Sequence, residues 1–158
     1  MRRPLTLLLL AGLSALALAL CPAAPEKPDL DPAQLRELAT HVVTGEVRAI
    51  YERTEAEGSW QVTRRVAELA VESVEKGEGI EPGSLVYARY WTRRWTGWGA
   101  MPPSTGGHRG LPDEGQRVRV HLARDAYDGF TDENRDGGYN VIGANGFAPP
   151  PPAPGEGR

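Results

Sequence analysis

A single cysteine, Cys21, stands in 158 residues, so no disulfide can form within the chain and stability must come from a packed core. Lysine is almost as scarce, two against sixteen arginines, a bias that GC-rich coding produces. No uncharged apolar run reaches the length of about 20 residues that a spanning helix needs. The longest, Leu5 to Leu20, falls short, and Pro22 and Pro25 stop any helix just beyond it. The three histidines, His41, His108 and His121, are separated by 66 and 12 residues with no cysteine nearby, which leaves no ligand spacing for zinc. Positive charge is lacking as well. The formal net charge is −3, and without Arg2 and Arg3 sixteen basic and twenty-one acidic side chains remain, a balance of −5. Phosphate backbones are bound through clustered positive charge, so this balance argues against nucleic acid as a partner.

What is present at the start is an export signal. Arg2 and Arg3 form a basic end ahead of the uncharged run from Leu5 to Leu20, the pattern of a signal peptide over residues 1–20. Leu18-Ala19-Leu20-Cys21 resembles the lipobox of bacterial lipoproteins, which would make Cys21 a lipidated first residue, although Leu20 is larger than the usual residue there. Ordinary cleavage after Ala17-Leu18-Ala19 competes with that reading, and both stay open. Residues 21–30 are a Pro-rich linker, suited to tethering a lipid-anchored domain. The expected location is outside the cytoplasm, periplasmic or envelope-associated, with membrane contact only through such an anchor.

One domain, residues 31–148, is long enough for one core and not for two. Asp31-Pro32-Ala33-Gln34 predicts a short helix, with Asp31 as N-cap, Pro32 at the first helical position and Gln34 closing a capping box; Leu35, Leu38 and Ala39 would face the domain. Residues 41–52 alternate as a half-buried strand, with Val43, Val47, Ala49 and Tyr51 on one face and Gly45 marking a bulge. Residues 53–59 read as a polar connection. Residues 60–76 fit a helical stripe and a bulged strand almost equally; four valines and the Lys76-Gly77-Glu78-Gly79 turn favour the strand. That strand points Trp60, Val62 and Val66 inward, then Ala67, Leu69 and Val71 after a one-residue slip. Further strands are expected at 84–91, at 116–123 with Val118, Val120 and Leu122 in and Arg117, Arg119 and His121 out, and at 138–143. Residues 96–115 form a long loop, and residues 149–158 a disordered Pro-rich tail.

The fold class that follows is mainly β, a small five-stranded OB-like Greek-key barrel with a short N-terminal helix. Val43-Thr44-Gly45-Glu46-Val47, the run Val71 to Gly77 and the Pro82-Gly83 turn resemble the netrin and metalloprotease-inhibitor branch of OB-fold proteins over residues 41–90. The resemblance implies the barrel and, for inhibitory members, a mature N-terminal cysteine locked by a disulfide. Cys21 has no partner cysteine, so the inhibitory activity does not carry over with the motif.

Four features merit examination as sites. Asp132-Glu133-Asn134-Arg135-Asp136-Gly137 fits the first half of a calcium loop, with Asp132, Asn134, Asp136 and the Gly138 carbonyl as ligands and Asp128 as an outside contributor. Its twelfth position is Gly143 rather than glutamate, which excludes an EF-hand and leaves an Asp-Gly turn as the bland reading. Trp91, Arg94, Trp95 and Trp98 gather flat rings and a guanidinium for a glycan or peptide ligand; the bland reading has Trp91 ending a buried strand and the other two pinning the loop. His108 beside Ser104 and Thr105 would suit a base and nucleophile, but no orienting carboxylate accompanies it. Glu46, Glu52, Glu68 and Glu72 alternate with arginines and fit a solvated barrel surface. The functional expectation is a non-catalytic binding or assembly domain for an envelope protein or glycan. The alternatives are an enzyme with its site in the 104–110 and 128–138 loops, or a secreted peptidase inhibitor. No cofactor is required beyond the candidate calcium.

Overall fold

The computed structural model describes residues 27–102, 106–124 and 138–152. They form helix α1 (Pro32–Leu38) and strands β1 (His41–Glu57), β2 (Trp60–Lys76), β3 (Leu85–Trp95), β4 (Arg117–Arg124), β5 (Tyr139–Val141) and β6 (Phe147–Ala148). The strands run β1-β2-β3-β5-β4, and β4 pairs back onto β1, closing the ring of an OB-like barrel; β6 lies along β4. All pairs are antiparallel except β3–β5. The parallel pair is possible because the chain crosses from β3 through the 96–115 segment and β4 before β5 returns beside it.

β1 makes the closure. Residues Val42 to Glu46 pair with β2 on one side and β4 on the other, so this part of the strand belongs to both walls of the barrel. Coiling that sharply needs the register shifts seen at Val42/Val43, Thr44/Gly45 and Val47/Ala49. A side chain at Gly45 would place its Cβ 2.4 Å from the Ala70 carbonyl oxygen, which is why glycine stands there. Val43, Val47, Leu69, Val71, Val86, Ala88, Val120, Leu122 and Val141 fill the interior, with Phe147 and Tyr90 meeting edge to face at its end (centroids 5.0 Å). α1 carries the expected capping box and buries Leu35 and Ala39. Leu38 departs from expectation and is exposed, because a seven-residue helix presents only one stripe to the barrel.

Four other expectations are corrected. β1 does not stop at Glu52. It continues through the supposed connection to Glu57 and turns at Gly58-Ser59 into β2. These residues lack apolar alternation because cross-strand polar pairs hold them: Thr54 to Thr63 at 3.0 Å, Arg64 to Glu55 at 2.6 Å and Arg65 to Glu52 at 3.1 Å. The bulge at Val47/Ala49 turns Tyr51 outward, where it is 56% exposed. In β2 the pairing with β3 is regular from Trp60 to Ala70, so no slip occurs. Trp60, Val62 and Val66 therefore lie on the outer face, opposite Ala67, Leu69 and Val71, although Val62 is buried there as expected. Finally, His121 is buried, because residues 142–146 fold over that side of β4: Ile142 N–H donates to His121 O (3.1 Å) and His121 N–H to Gly146 O (2.9 Å).

Two substitutions test this architecture. Val120→Asp buries a charge in the closed interior at a cost of several kcal/mol, against a total stability of about 5–15 kcal/mol, and should leave no cooperative thermal transition. Gly45→Ala should lower the melting temperature by roughly 10 °C or more, from a backbone clash of about 2 kcal/mol. A Gly45→Ala protein melting within a degree of the parent would show that β1 does not coil against Ala70.

Candidate functional site

Past Glu46, β4 leaves β1, and the three strands β1, β2 and β3 run on together as an extension of the barrel wall. Side chains directly opposite one another share a face. The register therefore sets five rows on the outer face: Ala49–Glu68–Tyr87, Tyr51–Val66–Arg89, Arg53–Arg64–Trp91, Glu55–Val62–Arg93 and Glu57–Trp60–Trp95. The opposite face continues the barrel interior and turns polar through Glu52–Arg65–Tyr90 and Thr54–Thr63–Thr92.

At the far end, aromatic rings and guanidinium groups interleave. Trp60 and Trp95 meet at 5.1 Å with their planes at 65°, and the Arg93 guanidinium carbon sits 4.6 Å from the Trp60 ring and 5.8 Å from Trp91. Each such cation–aromatic contact contributes about 0.5–1 kcal/mol at a partly exposed site. Arg64 binds Glu55 and Glu57, both at 2.6 Å, and Arg53 binds Glu55 at 2.5 Å. At the near end, Tyr51 donates to Glu68 at 3.3 Å, and Glu68 also bonds Tyr87. The Glu68 carboxylate raises both phenols above the ordinary tyrosine range, so both stay protonated.

Between these ends lies a cleft of about 320 Å³, lined by Tyr51, Arg53, Arg64, Val66, Arg89 and Trp91, with Lys27 and Asn140 on the β5 side. Lys27 reaches it by donating to the Val141 carbonyl at 2.8 Å. Four cationic residues of this face, Lys27, Arg53, Arg64 and Arg89, border the opening, which Glu52, Arg65 and Tyr90 also line although the register turns their side chains to the opposite face.

His108 has a different role from the one its loop suggested. It is buried, and residues 106–108 lie along β3: Arg93 N–H donates to Gly106 O (2.8 Å) and His108 N–H to Trp91 O (2.9 Å). Gly107 makes that approach possible, since a Cβ there would fall 2.5 Å from the Trp91 carbonyl oxygen. The His108 ring donates from Nε2 to Val141 O (2.9 Å) and accepts the Trp91 N–H at Nδ1 (3.1 Å). It thus joins β3 to β5 as a neutral imidazole, with both nitrogens engaged by backbone. Ser104 and Thr105 lie outside the described residues.

Of the other sequence candidates, Trp91 and Trp95 share the outer face, Trp91 buried and Trp95 half-buried. Arg94 points to the opposite face and bonds Gln61 at 2.6 Å. Trp98 is fully exposed and pins nothing, contrary to the bland reading. Cys21, Asp128, Asp132, Asn134 and Asp136 lie outside the described residues. Gly138 is described, and a Cβ there would meet the Arg89 guanidinium at 2.6 Å, a cationic neighbour for a proposed calcium ligand. Among the described residues no three His, Cys, Asp or Glu side chains are grouped to hold a metal ion. Sequence reading missed Tyr51, Tyr87, Glu68, Arg53, Arg64 and Arg89 as one group. The alternation Arg89-x-Trp91-x-Arg93-x-Trp95 was legible within β3, but the rows depend on a register that no single strand reveals. No family model matches this chain, nor does any curated protein or solved structure.

The histidines make stability depend on acid. Burial, with Lys27 adding repulsion, pushes the His108 pKa from the ordinary 6.5 down to about 4, against the opposing pull of its backbone carbonyls. Burial also lowers that of His121. A depressed imidazole pKa means that the unfolded chain takes up the proton first. The stabilisation is thus complete above pH 6.5 and is lost as pH falls towards 4, by about 3 kcal/mol for His108. Urea unfolding at pH 7 and pH 4.5 should show that loss. His108→Gln, which keeps a donor for Val141 O, should flatten most of the slope; an unchanged slope would mean that His108 is not the buried neutral joint described.

Proposed function

We propose that this chain is a non-catalytic binding or assembly domain that works outside the cytoplasm, in the periplasm or against the envelope, and takes its ligand on the outer face of β1–β3. The observation that carries the reading is the cleft between Tyr51, Arg53, Arg64, Arg89 and Trp91, set on the strand face that OB barrels use for extended ligands. The aromatic and guanidinium groups on that face offer flat apolar surface beside directional donors, a combination suited to a glycan or a protein segment. Placement outside the cytoplasm is supported by Arg2, Arg3 and the uncharged run from Leu5 to Leu20, and a lipid at Cys21 would hold the barrel at the membrane. The reading needs no cofactor.

Two measurements test it. Cell fractionation with palmitate labelling should find the processed chain in the envelope, with label lost in Cys21→Ser if Cys21 is acylated; an unprocessed cytoplasmic chain would end the exported reading. Hydrogen exchange of the purified protein, with and without envelope extract, should show added protection in residues 60–66 and 85–95. Protection confined to the other side of the barrel would move the site elsewhere.

A further inference from the structure

The ligand class can be taken further, on the premise that the outer face of β1–β3 is the binding face. We infer that this face binds an acidic oligosaccharide, with sugar rings on Tyr51 and Tyr87, hydroxyls on Glu68 and a carboxylate at the guanidinium row beginning with Arg53.

Three observations carry it. Tyr51 and Tyr87 are 56% and 49% exposed, on strands roughly 10 Å apart with β2 between them. Exposed phenol rings on a sheet face bury little of their own apolar surface, and they present it to a ligand at low conformational cost. Between them stands the Glu68 carboxylate, which accepts from Tyr51 and bonds Tyr87. A carboxylate set between two flat rings suits a molecule that brings apolar CH faces and hydroxyl donors together, which a pyranose does.

The next rows change sign. Two residues on from Tyr51 and Tyr87, about 7 Å along their strands, Arg53 and Arg89 face outward, and Arg64, four residues from Glu68 on β2, stands opposite Arg53. The Arg53 side chain is 79% exposed, and its ion pair with Glu55 is open to solvent. An incoming carboxylate can join or exchange with Glu55 there at little cost, since exposed pairs contribute only about 0–1 kcal/mol. The pattern of charge selects the class. A phosphodiester chain or an acidic peptide carries negative charge at every step and would meet Glu68, Glu55 and Glu57 on the same face. An oligosaccharide with a carboxylate on one ring and hydroxyls elsewhere meets acceptor, ring and guanidinium in that order.

The test uses protein purified from the envelope fraction and four probes: a uronic-acid tetrasaccharide, its neutral methyl-ester counterpart, an oligoglutamate of equal charge, and an oligothymidylate. Calorimetry should give micromolar to millimolar affinity for the uronate and at least about ten-fold weaker binding for the other three. Tyr87→Ala and Tyr51→Ala should each weaken uronate binding about ten-fold, and Arg53→Ala should remove the preference for uronate over ester. All three side chains are exposed, so melting temperatures should stay within a degree or two and serve as the folding control. Uronate binding unchanged in Tyr87→Ala and Arg53→Ala would overturn the assignment. So would tighter binding of oligoglutamate or oligothymidylate, or binding of no probe at all. If the envelope extract still protects residues 60–66 and 85–95 in those cases, the ligand class is wrong and the binding face stands. If that protection is absent too, the binding face fails with it.

Discussion

The structure depends on one strand pairing on both edges at once. Residues Val42 to Glu46 of β1 pair with β2 and with β4, and this double pairing turns a three-stranded meander and two short returns into a closed barrel. It requires β1 to bend, and the bend requires close approach to β2 at Gly45, where the Ala70 carbonyl leaves no room for a side chain. Once β1 has bent, its remaining residues cannot follow β4. Val47 and Ile50 still bond residues 114–116, and beyond them β1 continues with β2 while β3 follows β2. The site is built on that continuation, so the geometry that closes the barrel also projects the face on which the tyrosines and arginines stand.

The other closing element is much weaker. Among the described residues β5 is three residues long and meets β3 through Ala88 and Arg89 alone. Side chains and backbone from outside the ring make up the shortfall. His108 reaches from the 106–108 segment to Val141 O, Lys27 donates to the same carbonyl, and Arg109 N–H donates to Ala144 O at 2.7 Å. His121 adds a bond to Gly146 O on the far side of β4. Two of the three histidines thus act on the segment from β5 to β6. Each is neutral because it is buried, and each is useful because a neutral imidazole can bond backbone without a counter-charge.

Legibility in the sequence tracked burial. β4 was readable because Val118, Val120 and Leu122 alternate with polar residues, and its interior face is as expected; α1 was readable because Asp31 and Gln34 form a capping box that needs no tertiary context. His121 misled, since alternation marks two faces and cannot say that residues 142–146 will cover the second. The distal half of β1 was illegible for a related reason. Glu52 to Glu57 bury almost nothing, so no periodicity marks them, and their partners Thr63, Arg64 and Arg65 are chosen by register rather than by neighbours in sequence. Of the site, the tryptophans could be named as a cluster, and Trp91 and Trp95 do share a face. Trp98 does not join them, and Tyr51, Glu68 and Tyr87 come from three strands that only the fold brings side by side.

The extension also sets how firmly the face is held. A core residue such as Leu69 contributes through burial, about 1.5–3 kcal/mol for a fully enclosed side chain. On the outer rows only Val62 and Trp91 are buried among the described residues. The other positions are held by cross-strand pairs and exposed ion pairs, each contributing from a few tenths to about 1 kcal/mol, and by the stacking of Arg93 between Trp60 and Trp91. Sums of small exposed terms place this region at the less stable end of the molecule, where local opening costs less than opening the barrel. A ligand spanning β1, β2 and β3 would bind only the ordered arrangement of all three strands and would therefore stabilise it by mass action. Burial and the bonds that brace β5 hold the barrel without a ligand, whereas on the extension the ordering energy and the binding energy fall on the same rows of side chains.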